Sequence, residues 1–327
     1  MSLWAITGGS GFLGLHLSRR LLRDGHTVRS LDLEAAELPE VEGIVGDVRD
    51  PAAARLVCRH ADVVVHAAAA LPIRGSRHEV RSVNVEGTAT VLAAAAEAGV
   101  RRVVFVSSAV VLPQPIEAYG EAKAAAEQVC ADLVARGLNV TILRPQAFIG
   151  PERLGIFGIL FRWIEEGRRI YTVGKGSNRY QLLDVDDLVE AVVLAAAHPD
   201  AGGTYALGAK RFATVAEDLQ ALIDHARSKS VVTPLRARPA RALLRGLHLA
   251  GVSPLGEWHY RTADRDCFVD IAPAERELGW SPRFSNSEAL SRAYDWYVAE
   301  RPGRVGTGRT HRTPWNERAL SVLRRLS

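Results

Sequence analysis

Thr7-Gly8-Gly9-Ser10-Gly11-Phe12-Leu13-Gly14 is the stretch on which the fold turns. It follows an apolar run, Leu3 to Ile6, that reads as a short buried strand. It opens an amphipathic helical pattern from Gly14 to Asp24. Glycine permits a tight turn and lets backbone N–H groups approach an anion at the positive end of a helix. Strand, glycine turn and helix, in that order, are the context in which this pattern binds the pyrophosphate of a dinucleotide. Outside that context the same residues would be an ordinary glycine-rich turn.

Asp32 stands 24 residues beyond Gly8, at the end of the next strand, Thr27 to Leu31. An acid near this distance can accept the adenosine ribose hydroxyls, and its charge repels a 2′-phosphate. Arg29 precedes it and no arginine immediately follows, so the expected cofactor is NAD. The plain alternative is a strand-end aspartate. Asp47 and Val48, closing the run Gly46-Asp47-Val48, are placed to meet the adenine. His66-Ala67-Ala68-Ala69 ends another strand, and the small residues Ala67, Ala68 and Ala69 suit a close backbone approach.

Further strands are expected at Asp62 to His66, Val103 to Val106 and Val140 to Leu143, with an alanine-rich helix from Val83 to Ala98 stopping at Gly99. Alternating strands and helices predict an α/β fold, a Rossmann-like doubly wound parallel sheet. After Arg144-Pro145 the pattern loosens into a smaller C-terminal substrate lobe. The expected organisation is a dinucleotide-binding domain over 1–150 with returning elements near 180–208, an interleaved lobe over 151–300 and a basic tail over 301–327. Leu278-Gly279-Trp280-Ser281-Pro282 reads as a turn before a last helix, about Ser287 to Ala299.

The 327 residues are 47% hydrophobic and 24% charged, which excludes a disordered, collagen-like or membrane-embedded chain. No apolar run approaches the ~18 residues of a transmembrane helix. Met1-Ser2-Leu3 runs directly into the first strand and leaves no room for a signal peptide. Cys58, Cys130 and Cys267 lie far apart, so neither a disulfide framework nor a metal site is expected, and a cytoplasmic location is. The net charge of +4 resides in the tail, where Gly303 to Ser327 holds six arginines and one acid. A neutral body with a basic tail is not a nucleic-acid-binding surface. Asn316 to Leu326 regains helical spacing, which raises peripheral membrane contact. Docking on the protein's own body through Trp315 and the leucines is the favoured reading.

Tyr119 and Lys123 are four residues apart in a helical segment, on one face. A phenol has a pKa of about 10, and a neighbouring ammonium favours its ionised form. Tyr119 could then exchange a proton with a substrate hydroxyl or carbonyl. Ser107 and Ser108 close the strand ahead of it and could hold the same oxygen. Alone, such a pair reads as a surface tyrosine and a solvated lysine. The glycine loop and the Ser-Ser strand end reverse that reading.

With these residues in place the chain resembles the extended short-chain dehydrogenase/reductase family, the NAD-dependent epimerase/dehydratase type. TGGSGFLG, Asp47-Val48, HAAA, Asn84-Val85-Glu86-Gly87-Thr88, Ser107-Ser108, YGEAK, Arg144-Pro145, Val185-Asp186-Asp187 and LGWSP occur in that family's order. The resemblance implies Ser108, Tyr119 and Lys123 as the catalytic set. It implies cofactor contacts at Gly8, Gly11, Phe12, Leu13, Gly14, Asp32, Asp47, Val48, Ala67 to Ala69, Asn84, Tyr119, Lys123 and Pro145. Asp187 is expected to cap a helix. A homodimer paired through Val91 to Ala98 and Tyr119 to Val134 is also implied.

The chain departs from the family's sugar-nucleotide members. Tyr180 stands where they carry an arginine, with Arg179 one residue early, and their late Arg-x-Gly-Asp element is missing. Arg236, Arg238, Arg241 and Arg245 could grip a pyrophosphate, or form the solvated face of a helix whose apolar side is Leu243, Leu244 and Leu247. The expected substrate is a small molecule bearing a secondary alcohol or ketone, foremost within a nucleotide-linked sugar. The alternatives are a hydroxysteroid-dehydrogenase-like reductase of an apolar substrate and a non-catalytic dinucleotide sensor. Ala109-Val110 after Ser108 disfavours a 4,6-dehydratase, which would carry Asp-Glu nearby.

Overall fold

A computed structural model describes residues 1–71, 76–112, 118–198, 202–249 and 262–300. The basic tail and the Trp258 to Arg261 segment lie outside the described residues. In chain order the first elements are β1 (Leu3–Thr7), α1 (Phe12–Arg23), β2 (Thr27–Asp32), β3 (Glu42–Val45), α2 (Pro51–Cys58) and β4 (Val63–His66). They are followed by α3 (Arg77–Arg81), α4 (Gly87–Glu97), β5 (Arg102–Val106), α5 (Ala118–Val134) and β6 (Val140–Pro145). Then come β7 (Phe148–Ile149), α6 (Gly155–Glu165), β8 (Ile170–Val173), β9 (Leu183–Asp184), α7 (Val185–Ala197) and β10 (Thr204–Leu207). The last are α8 (Val215–His225), β11 (Val232–Leu235), α9 (Ala237–Leu249), α10 (Ala272–Leu278) and α11 (Asn286–Glu300).

Seven parallel strands form one sheet in the order β10-β6-β5-β4-β1-β2-β3. The chain runs outward from β1 to β3, then returns to place β4 on the other side of β1. That reversal opens a crevice at the carboxyl ends of β1 and β4, the place where such sheets bind ligands. The strands are apolar on both faces: Val63, Val64 and Val65 of β4 and Val103, Val104 and Phe105 of β5 are all within 1% of complete burial. Helices cover both faces, as continuous apolar runs require. Alanines at 94, 95 and 126 allow α4 and α5 to pack closely in the main core.

The chain divides into two compact units. Of the described residues, those within Met1–Gln146, Val185–Leu207 and Asp270–Ser281 form the first, and those within Ala147–Asp184, Gly208–Val269 and Pro282–Ser327 form the second. The segment 270–281, placed in the lobe on sequence, therefore packs with the dinucleotide-binding unit. Trp280 is the reason: it is 1% exposed, and its indole N–H donates to Asp187 O at 2.9 Å. In the second unit β8 pairs with β11 and β7 with β9, around a core that includes Phe161, Ile164, Leu182 and Leu222. Asn286 pins that core, accepting from Leu182 N and donating to Tyr180 O and Asp218.

Three local expectations are corrected. The helix expected over Val83 to Ala98 begins with a π-helical turn, Ser82–Glu86, before α4. Asp187 lies inside the first turn of α7 rather than ahead of it. Leu243, expected on the apolar side of α9, is 56% exposed. No described helix is long and apolar enough to cross a membrane.

Replacing Trp280 with Ala should destabilise the protein by about 3–5 kcal/mol in denaturant unfolding. Trp280→Phe, which fills most of the space but cannot donate to Asp187, should lose only about 1–2 kcal/mol.

Candidate active site

The β1–α1 turn is held where no side chain fits. Gly8 has φ +76°, and a Cβ there would lie 2.8 Å from Ala68 N. A Cβ on Gly14 would lie 2.2 Å from Gly8 O. Gly8 N donates to Leu31 O at 2.9 Å and Gly11 N to Gly8 O at 3.1 Å, so the turn is tied to β2 and to itself. No side chain caps the start of α1 at Gly11. The turn thus presents Phe12 and Leu13 backbone at the positive end of α1, a fit for a pyrophosphate.

Asp32 accepts from Ser10 N (3.0 Å) through Oδ2 and from Glu34 N (3.3 Å) through Oδ1. Burial raises its pKa, and these backbone donors act against the rise. Each oxygen keeps a lone pair for a ribose hydroxyl. Arg29, three residues before Asp32 and so on the opposite face of β2, donates instead to the carbonyls of Arg59 (2.6 Å), Leu56 and Val57 at the end of α2. The residues after Asp32, Leu33 to Glu40, hold three glutamates and no cation. Nothing in that stretch could neutralise a 2′-phosphate, so it suits NAD.

Asp47 is fixed by Arg49, whose backbone N and Nε reach Oδ1 at 2.9 Å and whose Nη2 reaches Oδ2 at 2.5 Å. The guanidinium holds this carboxyl below the usual carboxylate range. The Val48 side chain is buried in the core, so any contact with an adenine would come from its backbone. Asn84, in the π-helical turn, accepts from Ala70 N (2.8 Å) and donates to Ala70 O (3.0 Å). It clamps the strand end that carries Ala67, Ala68 and Ala69. Pro145 closes β6 beside Leu207 of β10.

A chain of hydrogen bonds not anticipated from sequence lies beneath the crevice. Thr88 Oγ1 donates to Asn84 O at 2.7 Å, so it accepts from His66 Nε2–H at 2.9 Å. His66 Nδ1 is then an acceptor, and Thr7 Oγ1 donates to it at 2.6 Å. Burial, aided by Lys123, pushes the His66 imidazole down to about 3, so it is neutral with one tautomer fixed.

At the end of β5 the two serines part. Ser107 is 4% exposed and donates to Glu127 Oε1 at 2.5 Å. Ser108 is half-buried, and its hydroxyl accepts from Val110 N at 3.4 Å. The partly exposed hydroxyl is therefore that of Ser108. Tyr119 is half-buried in the first turn of α5. Lys123, one turn on, is 2% exposed and donates to Val106 O at 2.8 Å. Its ammonium also lies 4.9 Å from the Phe105 ring centroid. Burial draws the Lys123 pKa down to about 8. Glu127 escaped the sequence reading, although its spacing four residues past Lys123 was the available signal. Among the described residues no cluster of His, Cys, Asp or Glu could hold a metal.

Two predictions follow from this geometry. Asp32→Ser should weaken NAD binding at least about tenfold and narrow the preference over NADP, as read by titration of both cofactors. Lys123→Met should stabilise the cofactor-free protein at pH 7, by about 3 kcal/mol at most. Folded Lys123 releases its proton near 8 and the unfolded side chain near 10.5. Below pH 8 both states are protonated and the burial cost is complete; between these values the unfolded chain holds more protons, so wild-type stability rises with pH. The advantage of Lys123→Met should therefore shrink toward pH 10 in denaturant unfolding.

A family model described as the NAD dependent epimerase/dehydratase family matches residues 4–208. An uncharacterized protein of Sinorhizobium fredii, y4nG, is 35% identical, covering 97% of this chain and 84% of that one. A 3 beta-hydroxysteroid dehydrogenase/Delta 5-->4-isomerase of Mycobacterium tuberculosis is 30% identical and covers 90% of each chain. The UDP-glucose 4-epimerase of Thermotoga maritima shares the fold at a TM-score of 0.75, with 21% identity over 91% of this chain and 99% of that one. DesIV, a dTDP-glucose 4,6-dehydratase of Streptomyces venezuelae solved with NAD, aligns at a TM-score of 0.72 with 26% identity over 92% and 98%. The chain belongs to the NAD-dependent epimerase/dehydratase family and is an NAD-dependent oxidoreductase or epimerase of the extended short-chain dehydrogenase/reductase type.

Proposed function

We propose that the protein interconverts a secondary alcohol and a ketone on an apolar ring or isoprenoid-like scaffold. The observation that carries the reaction is Lys123, a buried cation fixed to the end of the strand that bears Ser108, one helical turn from Tyr119. An ammonium there favours the phenolate of Tyr119. Tyr119 takes the hydroxyl proton during oxidation and returns it to the carbonyl oxygen during reduction. Ser108 holds that oxygen by hydrogen bonding. NAD, when bound along the glycine turn, Asp32 and the Ala67–Ala69 strand end, supplies the two-electron acceptor for the carbinol hydride.

The apolar substrate class rests on the second unit. Tyr180 occupies the place of the sugar-nucleotide arginine, and the Arg179 guanidinium stacks 4.5 Å from the Phe212 ring centroid and 5.3 Å from that of Phe268. A planar cation between two rings is already engaged. The relative that is 30% identical over 90% of each chain is named for hydroxysteroid oxidation. A nucleotide-linked sugar is the second reading, supported by exposed Arg238 and Arg245 on α9, although Arg241 pairs with Asp264 at 3.3 Å. We also propose a homodimer paired through α4 and α5, which sedimentation at micromolar concentration would test.

The protein should reduce NAD in the presence of a 3β-hydroxysterol or a related hydroxy-isoprenoid, read by NADH absorbance. UDP-glucose should give neither NADH nor an epimer by product analysis. Tyr119→Phe should lower turnover about 10²–10⁴-fold while retaining NAD binding. Turnover of the sugar nucleotide alone would transfer the proposal to the second reading. Undiminished turnover in Tyr119→Phe would remove Tyr119 from the site.

A further inference from the structure

We propose that Glu127 is the positioning residue of this site: its carboxylate locks α5 to the ends of β5 and β6 and so sets where Lys123 and Tyr119 stand against Ser108. The inference rests on the Tyr119–Lys123 reading above and adds a residue to it.

Tyr119, Lys123 and Glu127 recur every four residues and form one stripe along α5. Two members of the stripe attach the helix to the sheet. Lys123 makes one of these attachments, its bond to Val106 O. Glu127 makes the other, with three hydrogen bonds: Ser107 Oγ at 2.5 Å, Arg144 Nε at 2.9 Å and Arg144 Nη2 at 2.5 Å. The two anchors lie about 6 Å apart along the helix axis, four residues at 1.5 Å each. One anchor would leave α5 free to rotate about it. The second, a forked arginine pair with a fixed plane, removes that freedom.

The arrangement is also electrostatic. The Glu127 side chain is only 11% exposed, in a setting where screening by water is reduced. Cys130 and then Glu127, on its own helix, act on Lys123, and Lys123 in turn acts on His66 of β4. Cys130 is pushed up to about 12 and His66 down to about 3, so both are uncharged at pH 7. Glu127 is then the ionised partner that favours the Lys123 ammonium, while burial opposes it. Arg144 on β6 faces Glu127 from the far side. It holds both carboxylate oxygens, Nε on Oε1 and Nη2 on Oε2.

The chain contains four lysines, Lys123, Lys175, Lys210 and Lys229, so lysine-selective ¹³C NMR resolves each. Lys123→Met identifies the Lys123 signal by its loss. Glu127→Gln removes the charge, breaks the fork and leaves Arg144 uncompensated. Both electrostatic consequences disfavour the ammonium, so the Lys123 titration should move down by about one pH unit. A second readout is tyrosine ionisation by ultraviolet difference spectroscopy with NAD present, where Tyr119→Phe identifies the Tyr119 step. That step should move to higher pH in Glu127→Gln, because a less charged lysine supports the phenolate less. Ser107→Ala and Arg144→Lys, milder changes that retain the Glu127 charge, should shift both titrations in the same directions by smaller amounts, and they decide the matter if Glu127→Gln does not fold. A lowered melting temperature with both titrations left at wild-type values would make Glu127 only a brace and overturn the proposal. Loss of the catalytic reading itself is seen separately, as undiminished turnover in Tyr119→Phe.

Discussion

The site depends on one steric constraint: nothing larger than hydrogen fits on Gly8 and Gly14. A Cβ on Gly14 would overlap Gly8 O, and one on Gly8 would press on the Ala67–Ala68 backbone. The start of α1, the end of β1 and the end of β4 can therefore meet at van der Waals distance. That contact brings the positive end of α1 to the crevice opened by the reversal of strand order. A methyl group at either glycine would separate these elements, and the donors for a pyrophosphate would no longer converge. Asp32 depends on the same turn, since Ser10 N, inside it, holds one carboxylate oxygen.

Beneath the turn, polarity is managed by completeness. Thr7, His66, Thr88 and the Asn84 carbonyl pass hydrogen bonds in a single direction, each hydroxyl donating once and accepting once. A half-satisfied network at this depth would cost about 1–3 kcal/mol per orphaned group. Satisfied, it fixes the His66 tautomer and ties the first strand to the π-helical turn that clamps Ala70. The extra residue in that turn re-aims Asn84 toward the strand end, the kind of local irregularity that recurs at functional sites.

Much of this was legible from residues. The strand–glycine–helix context specified the parallel sheet and the dinucleotide crevice, because glycine spacing and apolar runs are local properties. The Ser107/Ser108 distinction was implied only by family pattern, and its physical basis is Glu127, twenty residues later in the chain. The π-helical turn was not legible: alanine-rich sequence from 83 to 98 has high helical propensity, and one inserted residue leaves no compositional trace. The return of 270–281 to the first unit was likewise missed. It depends on a single tryptophan finding a carbonyl 93 positions earlier, a pairing with no periodicity.

Why should a protein bury an ammonium at its rim rather than leave the lysine in water? A solvated lysine beside a phenol contributes little, because water screens the pair and the long side chain wanders. Buried, the same charge acts through a lower effective dielectric and is held in one place by Val106 O. The desolvation that makes it effective also draws its pKa down to about 8. If the drop went much further the lysine would be neutral at physiological pH and useless to the phenol. Glu127 acts against that drop from the side away from Tyr119, where it supports the lysine without competing directly for the phenol. Arg144 in turn grips Glu127 through both carboxylate oxygens. Charges alternate along the line Lys123, Glu127, Arg144, so in the proposed reaction the positive charge sits one helical turn from Tyr119 and the carboxylate a further turn away.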